Sequence, residues 1–430
     1  FPAHLPAQHR FMLRRRHLRL AAEVVPANQK SKTITAWGLM FGWITHTHGA
    51  EREVPITWKR IVFSLYSILF LIFSTFLFVT PFFFLYFHIG GPTEKKRLRL
   101  HRFIFRASNF IIRRVPGTTF TFDNAGGEDF TKPAIIISNH QSHLDLMCIL
   151  MLSPKLVVLT NDWVYRNPIY GFIIRQAEFY PVSEGLEANI GRLADLVRRG
   201  YSIVVFPEGT RSPDCRIQRF HRGAFYLAEQ LHLDLLPVFL HGIGHVLPKT
   251  DFMLREGAMY MEIGQRIPPG NQEFGNGFKA RTSALHRFYQ TRFAEICRKR
   301  ETADYYAWYV WQKYRPQGWP TAKSCRRLLK RNGNFQDIID HAPEQSRVHI
   351  HNSGRGEFAL LYALVHRQTE VHAFETDTAR HKIADKALAR PANLHLHTAA
   401  EPLQDADMQY WLNDGRKAAP VPNAVTVDVL

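Results

Sequence analysis

Residues 61 to 89, IVFSLYSILFLIFSTFLFVTPFFFLYFHI, contain no Lys, Arg, Asp or Glu. At about 1.5 Å per residue a helix of that length crosses a hydrocarbon core of roughly 30 Å, so the pattern predicts a membrane segment over 61–89. Pro81 lacks an amide proton and clashes with the preceding turn, which also admits a kinked, re-entrant or hairpin form. The apolar stretch Thr33–Thr47 is too short to span and reads as an interfacial or packed segment within a basic N-terminal segment, 1–60. No short apolar core with a small-residue cleavage site follows Phe1, so a secretory leader is not expected.

From residue 117 the pattern changes to short apolar runs alternating with helical stretches. Ala134–Ser138, Leu156–Thr160, Ser202–Phe206 and Leu235–Leu240 read as buried strands, with helical character over Leu144–Leu152 and Leu186–Arg199. Strands alternating with helices predict an α/β fold whose sheet is mostly parallel and flanked by helices. On this pattern 90–275 is this domain, 276–340 a helical linker whose helical stretch, 278–331, ends in CRRLLKR, and 341–430 a further segment.

Charge adds an anionic partner. The formal net charge is +18, which suits acidic lipid head groups, phosphorylated substrates or nucleic acid. Its densest cluster is EKKRLRLHRFIFRASNFIIRR, residues 94 to 114, directly beside the apolar segment. That position favours the cytoplasmic side of an inner or plasma membrane for the domain that follows, while the N-terminal flank is basic too, so charge bias alone does not set the topology. A nucleic-acid reader is disfavoured because no readout module is legible. Cys148, Cys215, Cys297 and Cys325 are scattered without a CxxC pair, so reduced thiols are expected rather than a disulfide framework or zinc finger. The histidines His349, His351, His372, His395 and His397 alternate along strand-like runs without ligand spacing, and no metal site is read from them. Because the chain opens on Phe1, it is expected to be a processed product or a piece of a longer one.

Two constellations carry chemistry. Asn139, His140, Gln141, Ser142, His143, Leu144 and Asp145 follow the strand-like AIIIS and lead into a helix. Acyl transfer to an alcohol needs a base for the hydroxyl proton, and a carboxylate on the second ring nitrogen fixes the tautomer of a histidine that does this. A spacing of five puts His140 at a strand end and Asp145 in the first helical turn; Asp is also an ordinary helix-start residue. His143 is expected to face away from His140. The second constellation is Phe206, Pro207, Glu208, Gly209, Thr210, Arg211 and Ser212, again past an apolar strand. Gly209 permits a tight turn, Arg211 offers a planar fork of donors for phosphate, and Glu208 can hold the loop. Ligands of open α/β sheets bind at such strand ends.

The NHx4D block followed by FPEGTRS resembles the glycerolipid acyltransferases, of which the 1-acylglycerol-3-phosphate acyltransferases are the best known. The resemblance covers about residues 61–270. It implies a glycerol-3-phosphate acyltransferase-like fold, with His140 as general base and Asp145 as its orienting partner. Glu208, Gly209, Thr210 and Arg211 would bind the acceptor, with Arg211 on its phosphate. An acyl thioester of coenzyme A or acyl carrier protein would be the donor, with no cofactor and no metal. The most direct reaction is conversion of 1-acylglycerol-3-phosphate to phosphatidate. LLPVFLHG around Pro237 resembles the family's fourth block, and FHRGA, with Arg222, the segment after FPEGTRS. One block departs: Ser183 and Glu184 stand where a phosphate-holding Arg is usual, with Arg175 as a distant substitute. That departure keeps open another alcohol or amine acceptor, such as an aminolipid or pigment precursor. A non-catalytic lipid-binding membrane protein is the other alternative.

Residues 347–377 read strand, turn, helix, strand, with SGRG opening the helix and Glu375 ending the second strand. They resemble the first half of an S-adenosylmethionine-dependent methyltransferase, a partial Rossmann-like βαβ segment. Ala424–Leu430 is expected to be its fourth strand, and the segment to be inactive.

Overall fold

The computed structural model describes residues 44–46, 54–56, 58–115, 117–167, 171–181, 186–249, 253–387, 390–398, 406–416 and 422–429. Nearly all of the basic N-terminal segment, including most of Thr33–Thr47, lies outside the described residues, as do Ser183 and Glu184.

The first sheet has seven strands: β1 (Thr118–Asp123), β2 (Ala134–Ser138), β3 (Leu156–Thr160), β4 (Tyr180–Pro181), β5 (Ser202–Val205), β6 (Asp234–His241) and β7 (Gly257–Ile263). Their order across the sheet is β1-β7-β6-β2-β5-β3-β4. Every neighbouring pair is parallel except β6 and β7. Ile135, Ile136 and Ile137 are all fully buried, as a central strand covered on both faces requires. The β2 strand lies between β5 and β6, with Ile136 opposite both Val204 and Leu236. The loops after β2 and β5, which carry the two motifs, therefore leave the same edge of adjacent strands. The flanking strands β1 and β7 were not legible in the sequence, since TTFTFD and GAMYMEI mix polar and apolar residues without a clear run.

The apolar stretch predicted as one membrane helix is divided. Helix α1 (Trp58–Ser74), a π-helical turn (Thr75–Val79) and α2 (Thr80–His88) follow one another. No helix among the described residues is long and apolar enough to cross a membrane. The wider π turn next to Pro81 breaks the regular hydrogen-bond ladder. Both ends are also tied to the α/β fold. Ser64 is buried and accepts a hydrogen bond from the Leu254 amide at 3.0 Å, and Phe83 and Phe87 are buried in the first core. Helix α3 (Glu94–Ile112) is capped by Thr93 and packs Leu100 and Ile112 against the same core, leaving its Arg and Lys row outward.

Helices α4 (Leu144–Leu150), α5 (Leu186–Arg198) and α6 (Gly223–Gln230) flank the first sheet, and the long α7 (Gly277–Arg300) leaves it. Three further helices, α8 (Ala303–Lys313), α9 (Trp319–Arg331) and α10 (Gly333–Asp340), then supply Tyr306, Val310, Cys325 and Phe335 to a second core. That core lies under a second, all-parallel sheet of β8 (Arg347–His351), β9 (Glu370–Phe374), β10 (Leu394–His397), β11 (Met408–Asn413) and β12 (Val425–Asp428). Its order is β10-β9-β8-β11-β12. This is a larger element than the expected βαβ piece. Val425–Asp428 is its fifth strand, not its fourth; the fourth is MQYWLN, whose polar residues interrupt any apolar run.

Candidate active site

The β2 loop is anchored by a buried side-chain amide. Asn139, fully buried, donates to the Leu240 carbonyl and accepts from the Leu240 amide, both at 2.8 Å. A side-chain amide that satisfies both backbone groups of one residue acts as an extra rung of sheet, and it anchors the loop on β6. His140 follows, its ring stacked on Phe206 with centroids 4.2 Å apart.

Asp145 is fully buried in the first turn of α4. Its Oδ2 accepts from His140 Nδ1 at 2.8 Å, from the Ser142 amide at 2.7 Å, and from the Gln141 amide. The helix-start role and the orienting role, which the sequence could not separate, are thus filled by the same oxygen. An oxygen gathering three donors at a helix N-terminus acts only as an acceptor, so the imidazole proton sits on Nδ1. Nε2 has no hydrogen-bond partner among the described residues, on a side chain that is 21% exposed.

The FPEGTRS loop closes against this one. The Ser212 amide donates to the His140 carbonyl at 2.7 Å, which sets Arg211 beside the His140 loop. Gly209 has φ +68°, and a Cβ there would sit 3.1 Å from the His221 ring. An L side chain would be strained on both counts. Glu208 is 3% exposed and faces backbone, with Oε1 accepting from the His140 amide at 2.9 Å and Oε2 from Gln218 at 3.1 Å. Arg211 Nη1 is buried without a hydrogen-bond partner. Partial burial lowers the Arg211 pKa, opposed by the pull of Asp145. Sequence reasoning missed Lys249, whose Nζ donates to Thr210 Oγ1 at 3.2 Å and to the Arg211 carbonyl at 2.6 Å. Nothing local marked it, since it lies more than thirty positions from the loop it braces.

Burial pushes the Glu208 carboxyl up to about 8, against the opposing effect of its two backbone donors. The folded state therefore holds this proton more tightly than the unfolded chain. The corresponding stability is complete below the ordinary value of 4.5 and is lost as the pH rises through about 8. Melting temperatures of wild type and Glu208→Gln across that window test this. The wild type should lose ground to the variant as pH rises, with parallel curves above about 8; parallel curves throughout would refute a buried neutral acid.

The remaining predicted residues are placed as follows. His143 stands exposed at the start of α4; partial desolvation lowers its pKa, and the charges of Arg211 and His140 act in the same direction. Arg222 is exposed at the start of α6. Arg175 donates to the Tyr165 carbonyl at 2.9 Å. The C-terminal histidines, unremarkable along the chain, are gathered by parallel register: His349, His372 and His395 are cross-strand neighbours, and His372 Nδ1 lies 3.0 Å from His397 Nε2. The second sheet also carries a cleft of about 390 Å³ lined by Asn352, Gly354, Arg355, Arg380 and Asp414.

A paired histidine and aspartate thus stand at one strand end of the α/β sheet, with an arginine-bearing loop bonded beside them. Residues 121–241 match the family model described as Acyltransferase. It is similar to 1-acyl-sn-glycerol-3-phosphate acyltransferases: 30% identical over 140 residues to a chloroplastic enzyme of Arabidopsis thaliana, covering 31% of this chain and 39% of that protein. It is 33% identical over 154 residues to that of Limnanthes alba, 34% of this chain and 54% of the relative. The chain spans about two fifths of the length of the first curated relatives it matches. The solved structure of the 1-acyl-sn-glycerophosphate acyltransferase PlsC from Thermotoga maritima aligns with a TM-score of 0.45 at 21% identity, over 56% of this chain and 97% of that one.

Proposed function

We propose that the chain transfers a fatty acyl group from an acyl thioester to the free hydroxyl of 1-acylglycerol-3-phosphate, giving phosphatidate. The observation that carries this is the 2.8 Å contact between His140 Nδ1 and Asp145, which leaves Nε2 as the base. Nε2 takes the hydroxyl proton as the oxygen attacks the thioester carbonyl, and the thiolate leaves as the new ester forms. Asp145 steadies the imidazolium formed in that step. Arg211, with a bare buried Nη1 and with Lys249 behind its loop, receives the acceptor phosphate. Glu208 and Gly209 shape the loop rather than touch substrate, and Thr210 lies on its exposed rim. The test is product formation by mass spectrometry from acyl-CoA and acyl carrier protein thioesters against a panel of lysophosphatidate, other lysophospholipids and an aminolipid. Transfer to the aminolipid but not to lysophosphatidate would overturn the acceptor assignment.

An amphiphilic acceptor implies a membrane surface, and the two-helix segment supplies a means of reaching it. Trp58, Leu69, Phe78, Phe82, Leu85 and Ile89 are exposed, alongside the basic α3. This arrangement favours insertion into one leaflet over crossing the bilayer. A Phe78→Ser, Phe82→Ser, Leu85→Ser variant should bind anionic vesicles at least about 100-fold more weakly, since burying each such side chain is worth about 1.5–3 kcal/mol. Unchanged co-sedimentation would show that the helices do not insert.

The sequence resemblance of 347–377 to half a methyltransferase would make Glu375 the acid that holds the cofactor's ribose hydroxyls, but the residue as arranged does not fit that role. Glu375 is 2% exposed, accepts from the Gly354 amide at 2.7 Å and is ion-paired to Arg416 at 3.0 Å. A ribose would have to displace Arg416, which is also bound to Asp414. No methyl-transfer step is assigned to this half.

A further inference from the structure

Where α7 ends beside the first sheet, three donors of different chemistry meet. His241 is the last residue of β6 and is 2% exposed. Cys297 and Glu301 stand four residues apart at the end of α7, so they share a helix face. An imidazole nitrogen, the thiol sulfur and a carboxylate oxygen from these residues all lie within 4.8 Å of one another. Among the described residues no other group of three His, Cys, Asp or Glu donors comes so close.

We propose that His241, Cys297 and Glu301 bind one zinc ion, with water as the fourth ligand. The 3.0 Å separation of His241 Nε2 and Glu301 Oε1 is close to the ~3.3 Å edge of a tetrahedron with bonds of about 2.0 Å. A thiolate beside an imidazole and one carboxylate suits zinc and not magnesium or calcium, which want oxygen ligands throughout. The carboxylate is already oriented. Its other oxygen accepts from the Tyr306 hydroxyl and from Arg367 Nη2 at 3.4 Å, and Arg367 also donates to Tyr306 at 2.7 Å. Such outer hydrogen bonds fix the direction of a metal-binding carboxylate. Phe293 and Tyr305 wall the imidazole at 6.0 and 5.7 Å between centroids, keeping bulk water away. Binding converts the Cys297 thiol to a thiolate with release of its proton, and moves the His241 proton to Nδ1 so that Nε2 can ligate.

The ion would join β6 to the end of α7. Leu240, next to His241, is the residue that Asn139 grips beside the catalytic base, so zinc would stiffen the frame of the site without entering the reaction.

The test uses the untagged chain, freed of metal by chelation and titrated with zinc or cobalt. One ion per chain should bind, with a rise in melting temperature. Cobalt should give a thiolate-to-metal charge-transfer band that disappears in Cys297→Ala. Glu301→Gln should weaken zinc binding at least about tenfold, whereas His372→Ala/His397→Ala should leave it unchanged. Circular dichroism of Cys297→Ala, altered at a partly exposed position, controls for folding. Absence of stoichiometric binding overturns the proposal. So does binding that survives Cys297→Ala and is lost in the His372→Ala/His397→Ala pair, which would place the ion on the histidine ladder instead.

Discussion

Replacing His140 with alanine should lower acyl transfer by about a hundred- to ten-thousand-fold, the range a positioned proton acceptor contributes. The fold should barely respond. The imidazole lies flat on Phe206 at a partly exposed position, and the loop's anchors are backbone and Asn139 contacts that the substitution leaves alone. A melting temperature within about 2 °C of the parent is expected for such a change. Asp145→Ala should behave differently. It removes the acceptor of two backbone amides and of the His140 ring in a fully buried place. Each buried donor left unsatisfied costs about 1–3 kcal/mol, so this variant should lose activity and stability together. Retained transfer in a folded His140→Ala protein would remove the base from the mechanism; equal melting temperatures for the two variants would show that Asp145 does not organise the loop.

Arg211→Ala should act on the acceptor. A charge-assisted hydrogen bond to phosphate is worth about 1.5–3 kcal/mol, so kcat/KM for lysophosphatidate should fall about 10- to 150-fold. The same variant should leave transfer to an uncharged monoacylglycerol nearly unchanged, because no phosphate contact is lost. Arg211→Lys should recover part of the loss, since a point charge replaces the fork without its bidentate geometry. An equal decline on charged and neutral acceptors would mean that Arg211 supports the loop alone. That outcome is guarded against by the loop's other anchors, the Ser212 amide on His140, Glu208 on two amides, and Lys249 on Thr210.

Much of this was legible along the chain. Ala134–Ser138 and its neighbouring strands announced themselves because strands buried on both faces must be continuously apolar, and the structure has them where those runs lie. The His140–Asp145 pairing was legible too, because a spacing of five across a strand-to-helix junction is a local matter. The strands β1 and β11 were not, since their burial alternates or is partial; nor was β7, whose buried run is broken in sequence by Glu262.

The sequence by itself determined the α/β alternation, the two motif loops and the basic, apolar N-terminal approach to them, because each depends on residues close together in the chain. Only the tertiary structure decided that β2 and β5 are neighbours, that Glu208 is a buried brace, that Lys249 backs the Arg211 loop, and that the 61–89 stretch is two joined helices resting on the domain. It also decided that His241 meets Cys297 and Glu301. All of these depend on strand order and helix packing, which are set by where the whole chain can bury its apolar surface and not by any local spacing.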